Sequence, residues 1–264
     1  RVVLWLVAVV LVVVALGLGA YFLAFLGPVA SIVAAVLALV PLVLVLAVVR
    51  IIDRWEPEPR GLVVLALAWG AVASVAITLG ADLVIVAAVG GLPETLSAVV
   101  QAPIVEEIAK GAGILLLFFA ARRAFDGPVD GVVYGSLIGA GFAFTENILY
   151  FADSLITGGV EGAAFTFFLR GILSPFAHVM FTAVTGYAVG LAARSGRRGA
   201  AALGPWVAGL VGAILLHGLW NGSAMFADFF ALYATLQVPL FVLFVVGVAL
   251  LRREEARLTR ARLA

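Results

Sequence analysis

The run from Val2 to Leu26 contains no charged residue, and comparable runs recur along the whole chain. Each is long enough to cross a bilayer, which takes about 20 residues in helical form. Only helices or closed barrels can do so, because lipid offers backbone groups no hydrogen-bond partner. The runs are too long and too continuous for barrel strands, which alternate over roughly 10 residues. Composition agrees: 65% of the residues are hydrophobic, against about 45–50% in a soluble domain. The first run also exceeds a signal-peptide core, so a span is expected there.

The expected architecture is all-α: a polytopic membrane bundle of about eight transmembrane helices, one integral domain over 1–264. The spans are expected near Val2–Leu26, Pro28–Val49, Gly61–Ala81, Pro103–Ala121, Asp130–Asp153, Phe165–Leu191, Ala200–Phe226 and Phe229–Leu251. The apolar stretch 82–102 is expected as a surface or re-entrant segment. Arginines follow every second span: Arg50, Arg54 and Arg60, then Arg122 and Arg123, then Arg194, Arg197 and Arg198, then Arg252 onward. The alternate loops hold only acids: Asp82, Glu94, Asp153, Glu161 and Asp228. Positive loops stay cytoplasmic, so both termini are expected there. A net charge of +1 says nothing about nucleic acid, and no nucleic-acid partner is expected; the absence of Cys excludes disulfide and thiolate chemistry.

Ionisable residues inside a membrane are costly and are functional candidates by default. Here they are Glu106, Glu107 and Lys110 on the fourth span, Glu146 on the fifth, His178 on the sixth and His217 on the seventh. Counted from Arg122, Asp130, Arg194 and Arg198, the four spans carry Glu106, Glu146, His178 and His217 roughly 24–28 Å from the cytoplasmic face. That is one layer toward the outer surface of a core about 30 Å thick. Two imidazoles and a carboxylate suit Zn²⁺ with a position left for water. Glu146, His178 and His217 fit that role, and Glu106 or Glu107 fits the general base. Lys110 shares a helix face with Glu106 and can neutralise one of the two acids. Asn221 can donate to a developing oxyanion. Pro103 suits a first helical turn, which would set both acids near a helix N-terminus. Gly131, Gly135 and Gly139 permit close helix contact near Glu146.

Blander roles compete. A lone intramembrane histidine commonly serves as an interhelical donor. Glu106–Lys110 can be a structural ion pair, Asn147 an interhelical contact, Arg170 a partner for Glu161, and Trp220 a packing residue. Buried Glu, Lys and His also build proton relays, so a proton- or cation-coupled transporter is the alternative function. Transporter sites usually lie near the midplane between internal repeats; this layer is off-centre and no repeat is evident.

The stretch Glu106-Glu107-Ile108-Ala109-Lys110 resembles the EExxK motif of the PrsW family of intramembrane proteases, and Phe142-Ala143-Phe144-Thr145-Glu146-Asn147 resembles its FxxxEN motif. His178 and His217-Gly218-Leu219-Trp220-Asn221 resemble its later histidine motifs, and Asp53–Pro59 and Asp126–Gly131 are similar to its loops. The likeness covers about 53–226, leaving extra spans at both ends, and the family is distantly similar to the CAAX-protease group. The resemblance implies a multi-pass enzyme of the bacterial cell membrane that hydrolyses a peptide bond of a membrane-anchored protein near the extracytoplasmic face. An anti-sigma factor is one such substrate in some bacteria. It favours Glu106 as the base, Asn147 as a supporting residue and zinc as the cofactor, beside an open alternative of glutamate-activated water without metal.

Overall fold

The computed structural model describes residues 2–197, 199–226 and 228–263. Among them the chain forms helices and no strand. Helix α1 is Val2–Phe25 and α2 is Pro28–Ile52. Helix α3 is Arg60–Val89, with a π-helical turn at Trp69–Ser74. Helix α4 covers residues 94–120, with a second π-helical turn at Ser97–Gln101. Helix α5 is Pro128–Phe167, α6 is Ala177–Arg194, α7 is Leu203–Phe226, and α8 covers residues 229–263. Six helical stretches are long and apolar enough to cross a membrane, one of them the 67 residues Pro128–Arg194 that contain both α5 and α6. Helix α4 falls outside this set because Glu106, Glu107 and Lys110 sit in its middle.

Three details differ from expectation. The stretch 82–102 does not form an element of its own. It is the end of α3 and the start of α4, and Gly90, in the left-handed conformation at φ 75°, ends α3. The acids Glu106 and Glu107 are not at a helix start, since α4 is already helical from Glu94. The wide turn at Ser97–Gln101 lets the helix pass Pro103, which has no N–H to donate. The expected sixth span is broken. A π-helical segment, Phe168–Leu173, ends at Ser174, and α6 starts only at Ala177. Pro175 disfavours helical geometry at the residue before it. His178 therefore stands in the first turn of α6, beside an unwound stretch.

Helix α5 is the centre of the bundle, with nearly every residue from Pro128 to Phe142 buried. Lipid supplies no hydrophobic drive between helices, so close backbone approach must hold them. Glycines provide it. A Cβ on Gly186 would lie 2.7 Å from the Gly131 carbonyl carbon, and one on Gly135 would lie 2.7 Å from the Thr182 oxygen. A Cβ on Gly139 would lie 2.8 Å from the His178 carbonyl carbon, so this contact sets the height of His178 against α5. On another face of α5, Gly70 of α3 crosses against Ile138, and Thr145 Oγ1 donates to Ala71 O at 2.8 Å. Gly186→Leu is expected to cost at least about 1–3 kcal/mol through overpacking at this crossing. Thermal unfolding in detergent measures it; an unchanged melting temperature would show that α5 and α6 are not this close.

At one end of the bundle Arg194 pairs with Glu254 at 3.0 Å, and Arg122 Nη2 donates to Ala193 O at 2.9 Å. The Asp53–Pro59 turn is held by hydrogen bonds. Glu58 N donates to Asp53 Oδ2 at 3.1 Å, and the Tyr134 hydroxyl of α5 donates to Glu58 Oε2. Burial pushes the Glu58 carboxyl up to about 8.

Candidate active site

Two indole groups set α4 in place. Trp69 Nε1 of α3 donates to Ala109 O at 3.0 Å, and Trp206 Nε1 of α7 donates to Gly111 O at 2.9 Å. Their rings lie where side chains at Gly113 and Gly111 would otherwise be. The carbonyls they engage flank Lys110, so the indoles fix the rotation of α4 that turns Glu106, Glu107 and Lys110 inward. Neither tryptophan was singled out from the sequence. The small residues Gly111 and Gly113 after the EExxK stretch were the available signal.

Four helices then converge. Lys110 Nζ lies 2.6 Å from Glu107 Oε1, 3.5 Å from Glu106 Oε2 and 3.2 Å from His178 Nδ1. His217 Nδ1 lies 3.0 Å from Glu107 Oε1, and Thr182 Oγ1 donates to Glu107 Oε2 at 3.2 Å. His178 Nε2 lies 2.9 Å from Glu146 Oε2. Glu106 Oε2 is 4.0 Å from His178 Nδ1 and 3.9 Å from His217 Nε2.

These partners assign the ring protons. An ammonium cannot accept, so His178 Nδ1 carries a lone pair toward Lys110 and His178 Nε2–H donates to Glu146. A carboxylate accepts, so His217 Nδ1–H donates to Glu107 and its Nε2 lone pair points toward Glu106. Two imidazole lone pairs and one carboxylate oxygen thus face a common space. Each imidazole is oriented from behind by a different carboxylate, an arrangement typical of histidines that hold a metal.

The structure draws together a different trio from the Glu146, His178 and His217 set expected from the sequence. The ligand atoms that lie within 4.8 Å of one another belong to Glu106, His178 and His217. Glu146 lies behind His178. Of the paired acids, Glu107 is the one held by Lys110, His217 and Thr182, while Glu106 Oε1 makes no hydrogen bond among the described residues. Asn221 Nδ2 donates to Ala98 O at 2.9 Å, tying α7 to the π-helical turn of α4. Asn147 accepts from Arg170 Nε at 2.8 Å. Arg170 does not pair with Glu161; it pairs with Glu146, because the chain reverses at Gly159, at φ 63°, and brings the following segment back along α5. Trp220 packs edge-on against Phe181, which stacks on the His217 ring at 4.8 Å.

The family model of the PrsW family intramembrane metalloproteases matches residues 58–249, which include every residue of this cluster. The chain belongs to the PrsW family. It is similar to a protein named Protease PrsW from Oceanobacillus iheyensis, 36% identical over 97 residues, which is 37% of this chain and 41% of the relative. Another of that name from Bacillus subtilis is 36% identical over 109 residues, 41% of this chain and 45% of the relative. A third, from Geobacillus kaustophilus, is 35% identical over 95 residues, 36% of this chain and 38% of the relative. The aligned stretch spans under half the length of each of these relatives. No solved structure matches the chain.

The residues fit the metal that the family description implies. Glutamate and two histidines are an ordinary zinc donor set, and the imidazole lone pairs are already turned to one point. That point attracts positive charge in this structure, because Lys110 Nζ sits against it.

Proposed function

We propose that this chain is an intramembrane endopeptidase that hydrolyses a peptide bond of a membrane-anchored protein. The observation that carries the reading is the pair of imidazole lone pairs facing Glu106, each ring fixed from behind by its own carboxylate. Glu106, His178 and His217 would hold Zn²⁺, which when bound acidifies water and polarises a carbonyl. Glu107 and Glu146 keep the two rings in their tautomers. Glu106 Oε1 takes a proton from the attacking water as oxygen bonds to the carbonyl carbon. The same oxygen then returns that proton to the amine nitrogen as the C–N bond breaks. Asn221 has a second amide hydrogen beyond the one given to Ala98 O, and it donates to the developing oxyanion.

The setting is a bacterial cell membrane, crossed about eight times with both termini cytoplasmic. The grouping of Arg122 and Arg194 at one end of the bundle and the bacterial relatives support this. The cluster lies toward the other end. A substrate such as an anti-sigma factor would then be cut near the extracytoplasmic face. No observation favours a transporter.

The test is incubation of the purified protein with detergent-solubilised bacterial membrane proteins, followed by mapping of new N termini by mass spectrometry. New termini near transmembrane segments are expected with the wild type and not with Glu106→Gln. Zinc analysis accompanies it. Stoichiometric zinc in the wild type and none in His217→Ala is the expected result, whereas cleavage by a zinc-free wild type would select the glutamate-only mechanism.

A further inference from the structure

Arg170 belongs to no motif picked out in the sequence, yet it is the outermost member of the polar chain that reaches the site. It stands on the π-helical segment Phe168–Leu173, just before the unwound residues that precede α6. Its Nη2 pairs with Glu146 Oε2, and its Nε donates to Asn147 Oδ1 at 2.8 Å. Its guanidinium carbon lies 3.9 Å from the centre of the Tyr150 ring. Glu146 Oε2, the oxygen it grips, is also the one bonded to His178 Nε2 at 2.9 Å. Side-chain exposure falls along this chain from 27% at Arg170 to 15% at Glu146, 10% at His178 and 7% at Glu106.

We propose that Arg170 is a positioning residue. It fixes the Glu146 carboxylate as the acceptor for His178 Nε2–H, which orients the ring with Nδ1 toward Lys110 and Glu106. The inference rests on the proposed hydrolase reading for its consequence, but its geometry can be tested without turnover. Three contacts at set angles suit a planar fork that also stacks on an aromatic ring, and a lysine ammonium cannot reproduce them together. Without Arg170, Glu146 is free to rotate away, and the His178 Nε2–H loses the acceptor that holds the ring in place.

The experiment uses the full chain with ¹⁵N-labelled histidine in detergent micelles. The sequence has only two histidines, so His217 is an internal control. In the wild type, both rings should show single-tautomer nitrogen shifts. In Arg170→Gln, the His178 Nε2 shift should move as its hydrogen bond to Glu146 weakens, while the His217 shifts stay. Arg170→Lys should give an intermediate pattern, and Tyr150→Phe, which keeps the stacking ring, should match the wild type. On whichever membrane protein the wild type cleaves, kcat should fall by about 10–100-fold in Arg170→Gln with KM unchanged. His178 shifts unaltered by Arg170→Gln and Arg170→Lys would overturn the proposal. A KM effect with unaltered shifts would overturn it too, and would make Arg170 a substrate-binding group. A wild type that cleaves nothing would count against the hydrolase reading alone, because the ring shifts still decide the role of Arg170.

Discussion

Glu106→Gln is expected to lower hydrolysis by about 10²–10⁴-fold while the protein still inserts and folds. The amide has nearly the shape of the carboxylate and can still accept from Lys110, which lies 3.5 Å from Glu106 Oε2. It removes the negative charge that faces both imidazole lone pairs, and it removes the group that takes the water proton. Glu107 cannot stand in. Its side chain is fully buried, and its oxygens are engaged by Lys110, His217 and Thr182. Glu107→Gln should therefore behave differently, acting through the His217 tautomer and through stability. Steady-state cleavage by the two variants, compared at equal amounts of folded protein, separates the roles. A Glu106→Gln enzyme with near-normal turnover would rule out Glu106 as the proton acceptor.

Lys110→Met should have the largest effect on stability. The ammonium is fully buried, 2.6 Å from Glu107, 3.2 Å from His178 Nδ1 and 4.1 Å from the centre of the Phe142 ring. Its removal leaves two adjacent carboxyl groups in an apolar bundle with no cation between them. Breaking a buried pair in this way typically costs about 3–5 kcal/mol, mostly as the penalty of the charge left behind. The double variant Lys110→Met, Glu107→Gln removes that leftover charge and should recover much of the loss. Denaturant unfolding in mixed micelles measures both variants. A single variant as stable as the wild type, or a double variant no better than the single, would mean that the pair does not carry this energy.

Much of the molecule was legible from residue patterns. Uninterrupted apolar runs leave a chain no choice but helices in lipid, so the all-helical class followed without tertiary information. The cost of burying ionisable groups made Glu106, Glu107, Lys110, Glu146, His178 and His217 stand out, and all of them meet in one cluster. The small residues of α5 pointed to close packing, and Gly131, Gly135 and Gly139 are the places where α6 touches it.

Where a helix bends, and which atom of a residue faces which neighbour, was not legible. The break before Ala177 and the wide turn before Pro103 depend on local prolines, but their effect on direction depends on what each helix then packs against. The grouping of Glu106, rather than Glu146, with the two histidines is the clearest case. Both acids lie at the same depth and both are near His178, so spacing along the chain cannot separate them. The choice follows from the rotation of α4, held by Trp69 and Trp206, and from Arg170 folding back onto Glu146. The sequence alone thus determined a helical membrane protein of the PrsW type with one polar layer. Only the tertiary structure decided the order of contacts within that layer, because ligand geometry turns on shifts of a few ångströms between helices far apart in sequence.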